Sequence, residues 1–337
     1  MGCSVLVTIA ANTYVTLMLS SAIGYEDPMS KVNQNIVRLG SRGSPLALAQ
    51  SQMVQAALQC AHSDLQIHLE IIHTTGDRVQ DRPLSEIGGK GLFTKEIETA
   101  LLEGQIDFAV HSAKDMETRL PDGLALSAAM QREDPRDVFI SEKAINLAEL
   151  PAGALVGTTS LRRRAQILNR FPALQVVPIR GNVDTRLRKM RDGEVDATLL
   201  ALAGLRRLGR ECDGMTVLDP DYMLPAAAQG AIGIETRAGD DRLISMMAAI
   251  NHENTFKVIS AERALLEALD GNCRTPVGAL AEIQDDGVLY LRALLADPDG
   301  AWLHSTERRG FLEDGVMMGK DAGAELRGLA GGAFFDD

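Results

Sequence analysis

Basic side chains are concentrated in one stretch of a chain that is acidic overall. The 337 residues carry a formal net charge of −12. Residues 162–210 nevertheless hold twelve Lys or Arg against four Asp or Glu, which gives this stretch a net charge of +8 and the remainder −20. A basic patch in an acidic protein predicts a focused site for a small molecule that carries several negative charges. The overall charge and the 4% aromatic content argue against a nucleic-acid partner.

Three short segments supply most of this charge, each where a strand is predicted to lead into a helix. They are 157–164, with Ser160, Arg162 and Arg163; 180–186, with Arg180, Gly181 and Arg186; and the Arg206-Arg207 pair that follows Ala203-Gly204. Each segment alone is compatible with a solvated helix face, where most arginines lie. Three of them at equivalent strand ends favour a ligand site, because open α/β sheets bind ligands there. Guanidinium groups pair with carboxylates through two hydrogen bonds, so the predicted ligand is a polycarboxylate.

Two further polar groups follow predicted strands in the first part of the chain. Arg42 and Ser44 stand before a helix, and Lys114-Asp115 comes directly after a strand. A carboxylate among cations keeps its charge, so Asp115 is a candidate for stabilising a positive charge that develops during a reaction. The alternative for Lys114-Asp115 is an ordinary surface pair.

The four cysteines are far apart and form no C-x-x-C pair, which suits neither a disulfide framework nor a zinc site. Free thiols in a reducing compartment are the simpler interpretation, and no metal motif is present. Cys273 lies in a Gly-containing loop, 270–276, beside Arg274. That position favours exposure and thiolate formation, as a nucleophile or a covalent tether requires. A buried, inert thiol is the alternative.

Short apolar runs alternate with helical periods from Ile36 onward, which is typical of βαβ units and predicts an α/β fold. The predicted strands are 36–39, 66–72, 107–111, 154–157, 175–179, 197–201 and 231–235, the last returning to the first unit. The predicted helices are 45–59, opened by Ser44, and 92–103, with further helices after Ser160, Asn182 and Gly204. A long loop is expected at 74–91.

The two ends of the chain differ from this pattern. Helices at 256–269 and 317–329 with strands at 288–295 and 302–309 predict an α+β module. Residues 1–35 contain apolar runs that no Lys or Arg precedes, which disfavours a signal peptide. We expect a disordered leader or a start codon assigned too early, with Met29 as a natural beginning.

Several motifs occur in a fixed order along the chain. They are Ser41–Ala47, Gly88–Phe93, His111–Asp115, Arg132–Asp137, Gly157–Arg163, Arg180–Val183 with Arg186, Ala203–Gly209, Gln229–Gly233 and the Cys273 loop. In this order they resemble the porphobilinogen deaminase family from about Ile36 to the C-terminus. The resemblance implies two α/β domains like the halves of a periplasmic binding protein and a smaller α+β C-terminal domain. We place them at 36–134 with 230–250, at 135–229, and at 251–337.

The resemblance also implies the reaction. A dipyrromethane cofactor is attached to Cys273 by a thioether, and four porphobilinogen molecules add to it in turn, each losing ammonia to give a reactive azafulvene. Hydrolysis then releases hydroxymethylbilane, a precursor of porphyrins and heme. Asp115 matches the family's catalytic aspartate. The cofactor-binding residues implied are Cys273, Lys114, Asp115, Ser160, Arg162, Arg163, Gly181 and Arg186. The substrate-binding residues implied are Arg42, Ser44, Arg180, Arg186, Arg207 and Gln229.

Three departures from the family pattern concern loop geometry, and one of them is the variation of Asn272-Cys273-Arg274 around the tether. Ala227-Ala228 stands before Gln229 where a glycine is common, and Met116-Glu117 replaces a proline after the Lys-Asp pair. A binding protein for an organic anion is the main alternative function, and nucleic-acid binding through the arginines is a weaker one. We expect a cytoplasmic monomer with no membrane partner.

Overall fold

The structure is a computed structural model that describes residues 35–78, 91–211, 214–270 and 275–335. Its strands are β1 (Ile36–Ser41), β2 (Gln66–Ile71), β3 (Phe108–Ser112), β4 (Leu124–Ala129), β5 (Asp137–Ser141), β6 (Leu155–Gly157), β7 (Gln175–Val177), β8 (Ala197–Ala201), β9 (Met215–Val217), β10 (Ile232–Arg237), β11 (Val277–Ile283), β12 (Leu289–Ala296) and β13 (Leu303–Gly310).

The α-helices of the described residues pack on these strands. Apart from a single helical turn at Thr75–Arg78, they are α1 (Pro45–Ala61), α2 (Lys95–Leu102), α3 (Leu161–Arg170), α4 (Val183–Arg191), α5 (Leu202–Arg207), α6 (Asp241–Ala248), α7 (Glu253–Ala268) and α8 (Gly315–Ala330).

The first sheet has the strand order β2-β1-β3-β10-β4. Strands β2, β1 and β3 are parallel, whereas β10 runs antiparallel to β3 and β4. Leu39, Phe108 and Ile234 are fully buried in its core. The predicted return of a late strand to the first unit is therefore confirmed.

The second sheet repeats this plan with the order β7-β6-β8-β5-β9. Strands β7, β6 and β8 are parallel, and β5 runs antiparallel to β8 and β9. Phe139, Val156 and Leu199 are fully buried at its centre. Both sheets have helices packed on parallel strands, and the α/β class predicted from the sequence is confirmed.

The third sheet is an antiparallel meander, β11-β12-β13, on which α7 and α8 pack. Apolar side chains at helical spacing on α7 meet the strands, and Ile259, Leu265 and Leu291 have no exposed surface. This is the α+β module that the sequence predicts for the C-terminal part.

The chain crosses between the first two sheets twice, at 130–136 and at 218–231, and one carboxylate binds both crossings. Glu262 on α7 accepts hydrogen bonds from Arg132 at 2.7 and 3.1 Å and from the Ala228 N–H. It also accepts from the Ala281 N–H on β11 at 2.7 Å. Because Glu262 is fully buried, this ion pair fixes the third sheet to both crossings.

Some elements differ from the sequence-based expectation. The helix predicted at 92–103 begins at Lys95, because 92–94 form a turn, and the predicted loop 74–91 opens with the short helix Thr75–Arg78. Strands β4, β5, β9 and β11 and helix α6 were not predicted. In β11 five of the seven residues are buried, so the run shows no alternation. The Arg206-Arg207 pair lies at the end of α5 and not at its start.

The departure at Ala227-Ala228 preserves a backbone that favours glycine. Ala228 has a φ of 59°, in the left-handed region that costs an alanine about 1–2 kcal/mol. Gly230, two residues on, has a φ of 89° and lies against the other crossing. A Cβ there would stand 2.3 Å from the Glu133 carbonyl oxygen.

We predict that Gly230→Ala lowers the free energy of unfolding by about 2–5 kcal/mol, because left-handed strain adds to a backbone clash. Gly239→Ala is the matched control: its φ is 80°, but nothing lies within 4 Å of the added Cβ. Gly239→Ala should lower the free energy of unfolding by about 1–2 kcal/mol. Urea denaturation measures both, and equal losses would mean that the crossings do not approach as described.

Candidate active site

Lys114 and Asp115 lie in a 3₁₀ turn, Ala113–Asp115, at the end of β3. The Ala113 N–H donates to the Ala231 carbonyl at 3.0 Å, so the turn is bound to the second crossing. The Lys114 ammonium donates to Gln229 Oε1 at 3.2 Å. Burial lowers the pKa of Lys114 to about 8, although the nearby Asp115 carboxylate opposes this shift. Lys114 is therefore a cation that lacks compensation for its burial.

A small cavity of about 50 Å³ opens beside Asp115, and its lining includes Arg42, Ser44, Phe93 and His111. The Arg42 guanidinium donates to Asp77 at 3.1 and 2.5 Å and lies 4.2 Å from the centre of the Phe93 ring. Burial opposes ionisation of Asp77, but the hydrogen bonds and charge of Arg42 hold the pKa of its carboxyl below the ordinary value.

Ser44 caps α1 as the sequence predicts. Its hydroxyl accepts from the Ala47 N–H at 3.3 Å, and its backbone is extended with a φ of −71°. A helix that begins beside the cavity directs free backbone N–H groups toward it, which favours an anionic ligand. This places Arg42 and Ser44 at the same cavity as Asp115.

Arg162 and Arg163 are buried against Asp137 at the start of β5. The Asp137 carboxylate lies 2.8 Å from Arg162 Nη1 and 2.7 Å from Arg163 Nη2, and both guanidiniums are about 5% exposed. Burial alone would raise the pKa of Asp137, but the two guanidiniums hold it far below the ordinary range. The alternative of a solvated helix face is wrong for these two residues.

Backbone groups complete this buried cluster. Arg162 donates to the Leu224 carbonyl at 2.7 Å and Arg163 to the Leu199 carbonyl at 2.8 Å. Ser160 caps α3, its hydroxyl accepting from the Arg163 N–H at 3.4 Å. One carboxylate thus faces two guanidiniums, which leaves a net positive charge at the start of α3.

Arg186 forms no ion pair with a carboxylate of the described residues. Among the described residues, no Asp or Glu lies within 4.0 Å of its guanidinium, which donates to the Gly181 carbonyl at 2.9 Å. Burial lowers its pKa to about 10, and the charges of Arg163 and Arg180 act in the same direction. Asp115 opposes the shift, so all three groups are close enough to interact electrostatically with Arg186.

Gly181 lets the chain turn into α4 in a conformation that other residues disfavour. Its φ is 116°, and a Cβ there would stand 2.5 Å from the Thr185 side chain. Arg180, just before it, is partly buried. The turn therefore places Arg180 and Arg186 on the same side of the second sheet.

The third basic segment divides between the interior and the surface. Arg207 is partly buried and donates to the Gly230 carbonyl at 2.6 Å, next to Gln229. Burial lowers the pKa of Arg207. Arg206 instead pairs with Glu133 and Glu211 at the surface. Gln229 joins the groups, because its amide nitrogen donates to Asp137 Oδ1 at 2.7 Å while its oxygen accepts from Lys114.

Sequence reasoning missed two groups of this site, Asp137 and His111. Asp137 heads the apolar run Val138–Ile140, and a lone acid in front of a buried strand signals a buried ion pair. His111 is 5% exposed and lines the cavity. Cys273 lies outside the described residues. In the described ranges, no cluster of His, Cys, Asp and Glu could hold a metal ion.

Comparison with known proteins gives two family matches. A family model described as porphobilinogen deaminase, dipyrromethane cofactor binding domain, matches residues 37–245, and one described as porphobilinogen deaminase, C-terminal domain, matches residues 256–328. Among the described residues, no helix is both long and apolar enough to cross a membrane.

Individual relatives carry the same description. The chain is 53% identical over 308 residues to the chloroplastic porphobilinogen deaminase of Oryza sativa subsp. japonica, covering 90% of this chain and 86% of the relative. It is 52% identical over 306 residues to that of Paracoccus denitrificans, covering 90% and 97%. A solved periplasmic VFT2 domain of Bordetella pertussis BvgS gives a TM-score of 0.40 at 16% identity, covering 69% of this chain and 96% of that one.

We predict that Asp137→Asn lowers the free energy of unfolding by about 3–5 kcal/mol, because two buried guanidiniums then lose their counter-charge. The control is Asp192→Asn, which removes an exposed pair with Arg188 and should cost less than about 1 kcal/mol. The Asp137 pair stabilises the fold above the ordinary aspartate pKa, and this contribution is lost as pH falls toward the lowered pKa. Denaturant titration at neutral pH decides the matter; a loss no larger than the control's would contradict a buried, charged Asp137.

Proposed function

The chain belongs to the porphobilinogen deaminase family, and from this membership we propose which residues carry the family's reaction. The enzyme is a transferase of tetrapyrrole biosynthesis that joins four porphobilinogen molecules onto a dipyrromethane cofactor and releases hydroxymethylbilane and ammonia. The observation that carries our assignment is the position of Asp115. It lies within electrostatic range of Lys114 and Arg186, cations that have no described carboxylate ion-pair partner of their own.

The described residues fit a cofactor of this kind. Each pyrrole ring of the cofactor carries acetate and propionate groups, so its binding site needs cationic donors. Lys114 and Arg186 have pKa values that burial lowers, and a ligand carboxylate would restore the charge compensation that the fold withholds. When bound, the dipyrromethane supplies the ring carbon to which the chain is extended.

Arg162 and Arg163 support the cofactor in a different way from a free cation. Asp137 already pairs with both guanidiniums, but Arg162 Nε is buried without a hydrogen-bond partner among the described residues. We assign these two residues, with Ser160, Gly181 and Asp115, to the cofactor side of the cleft. We propose that the cofactor is attached to the sulfur of Cys273, since this residue stands in the loop that matches the family's tether.

The substrate side of the cleft is the cavity at Arg42 and Ser44. An incoming porphobilinogen carboxylate can exchange with Asp77 for the Arg42 guanidinium, and the start of α1 offers backbone N–H groups. Arg180, Arg186 and Arg207 supply further charge for the growing chain. The Gln229 side-chain amide bridges Lys114 and Asp137, accepting a hydrogen bond from the first and donating one to the second.

Asp115 stabilises the positive charge that forms on the substrate when its aminomethyl group loses ammonia. A fixed carboxylate stabilises that cation more than it stabilises the neutral pyrrole ring of the bound porphobilinogen. Only such differential stabilisation lowers the barrier.

The proposal extends to the organisation of the molecule. We propose domains at 36–134 with 230–250, at 135–229 and at 251–337. Each of them contains all the strands of one of the three sheets. One chain supplies both sides of the cleft, which favours a working monomer. Cys60 is free and exposed, which favours a reducing compartment such as the cytoplasm.

We predict that the purified protein is heavier than its sequence by one dipyrromethane and that Cys273→Ala removes the excess, because only Cys273 stands in the tether loop. Cys60→Ala is the control and should keep the added mass, since Cys60 lies on α1 away from that loop. Intact-mass spectrometry reads both. An adduct that survives in Cys273→Ala would refute the attachment.

We predict that Asp115→Asn lowers turnover by about two to three decades, which corresponds to about 3–4 kcal/mol of lost transition-state stabilisation. Asp115→Glu keeps the charge but moves it, so it should retain measurable turnover and the bound primer. Asp122→Asn, an exposed aspartate seven positions on, is the control and should match the wild type. Near-wild-type turnover in Asp115→Asn would exclude the charge-stabilising role.

A further inference from the structure

A buried acidic cluster lies directly behind the cavity of Asp115, and the assignments above leave it without a role. His111 on β3 lines the cavity and is 5% exposed. Its Nε2 atom lies 2.9 Å from Glu235 Oε2 on β10, and Glu235 has no exposed surface. The pair therefore spans from the reaction cavity to the core of the first sheet.

Glu98 on α2 adds a second buried carboxylate to this cluster. It is 5% exposed, and burial raises the pKa of its carboxyl, with the negative charges of Glu235 and Glu117 acting in the same direction. The negative charge of Glu235 therefore opposes ionisation of Glu98. Arg263 on α7 is the cation that faces Glu235 and Glu117.

Three oxygens of the cluster are buried without a hydrogen-bond partner among the described residues: Thr94 Oγ1, Glu98 Oε1 and Glu235 Oε1. Buried polar atoms that stay unpaired cost stability, so their retention calls for a reason such as a shared proton or a bound water. Thr94 also lines the cavity. Thr94 and His111 thus bring two members of this cluster to the lining of the cavity.

Each cycle also needs a group that accepts a proton. The carbon–nitrogen bond of one porphobilinogen, protonated on its amino group, breaks, and ammonia leaves with the bonding electron pair. A carbon–carbon bond then forms, and the attacked ring carbon loses its proton to a base. Asp115 is one group in the cavity lining that can accept it. Of the described residues that line the cavity, the other group able to accept a proton near neutral pH is His111.

We propose that His111 is the base that takes this proton, with Glu235 positioning the ring and stabilising the imidazolium that forms. The arrangement follows the logic of a histidine held by a buried carboxylate behind a reaction site. His111 then passes the proton to solvent water, so that the imidazole ring is neutral again for the next unit. Glu98 takes no part in bond making.

The test compares primed wild type with His111→Gln, Glu235→Gln and His68→Gln, the last being an exposed histidine on β2. We expect His111→Gln to lower kcat about 100-fold, the scale of general base catalysis, and to remove the acid limb of the pH profile. In Glu235→Gln the acid limb moves about one unit or more to lower pH, because the imidazolium loses its counter-charge. His68→Gln should match the wild type.

Two readouts besides turnover separate this role from a structural one. Intact mass should show full primer content in all variants, and nitrogen NMR of the histidine rings should show the His111 ring titrating at lower pH in Glu235→Gln. Wild-type kcat and an unchanged acid limb in His111→Gln would overturn the proposal. If His111→Gln fails to fold, an unmoved limb in Glu235→Gln overturns it instead. A wild type without product would refute the proposed function and not this relay alone.

Discussion

The structure depends on the burial of one carboxylate, Asp137, between two guanidiniums. A buried ion pair stabilises a fold only when its geometry satisfies most of the charge, and here two arginines and the Gln229 amide surround a single aspartate. Removing the carboxylate would leave two positive charges in the core. Asp137 stands immediately after the first crossing between the sheets, so its position also decides how the two sheets meet.

The Asp137 cluster extends to the reaction site through one side chain. Gln229, on the second crossing, donates to Asp137 and accepts from Lys114, which precedes Asp115. A second buried carboxylate, Glu262, binds both crossings through Arg132 and the Ala228 N–H. Two buried carboxylates therefore fix the pair of chain crossings from which Gln229 reaches Lys114.

Local signals made much of this arrangement predictable. Ser44 and Ser160 cap their helices as their residue types indicate, and the alternation of strands and helices predicts both α/β sheets. The role of the arginine segments stays a prediction, and the partners of these arginines were not predicted. Asp137 pairs with residues 25 and 26 positions later, and Glu235 with His111 across 124 positions. Contacts of that separation depend on the sheet topology, which no local pattern contains.

We propose that Asp115, Lys114 and Arg186 form one site that holds a pyrrole chain by its carboxylates and its ring nitrogens. A crystal structure of the primed protein tests this most directly. We expect pyrrole nitrogens within hydrogen-bond distance of the Asp115 carboxylate and ligand carboxylates on Lys114 and Arg186. A primer bound to Cys273 but lying away from Asp115, with water alone on Lys114 and Arg186, would contradict it.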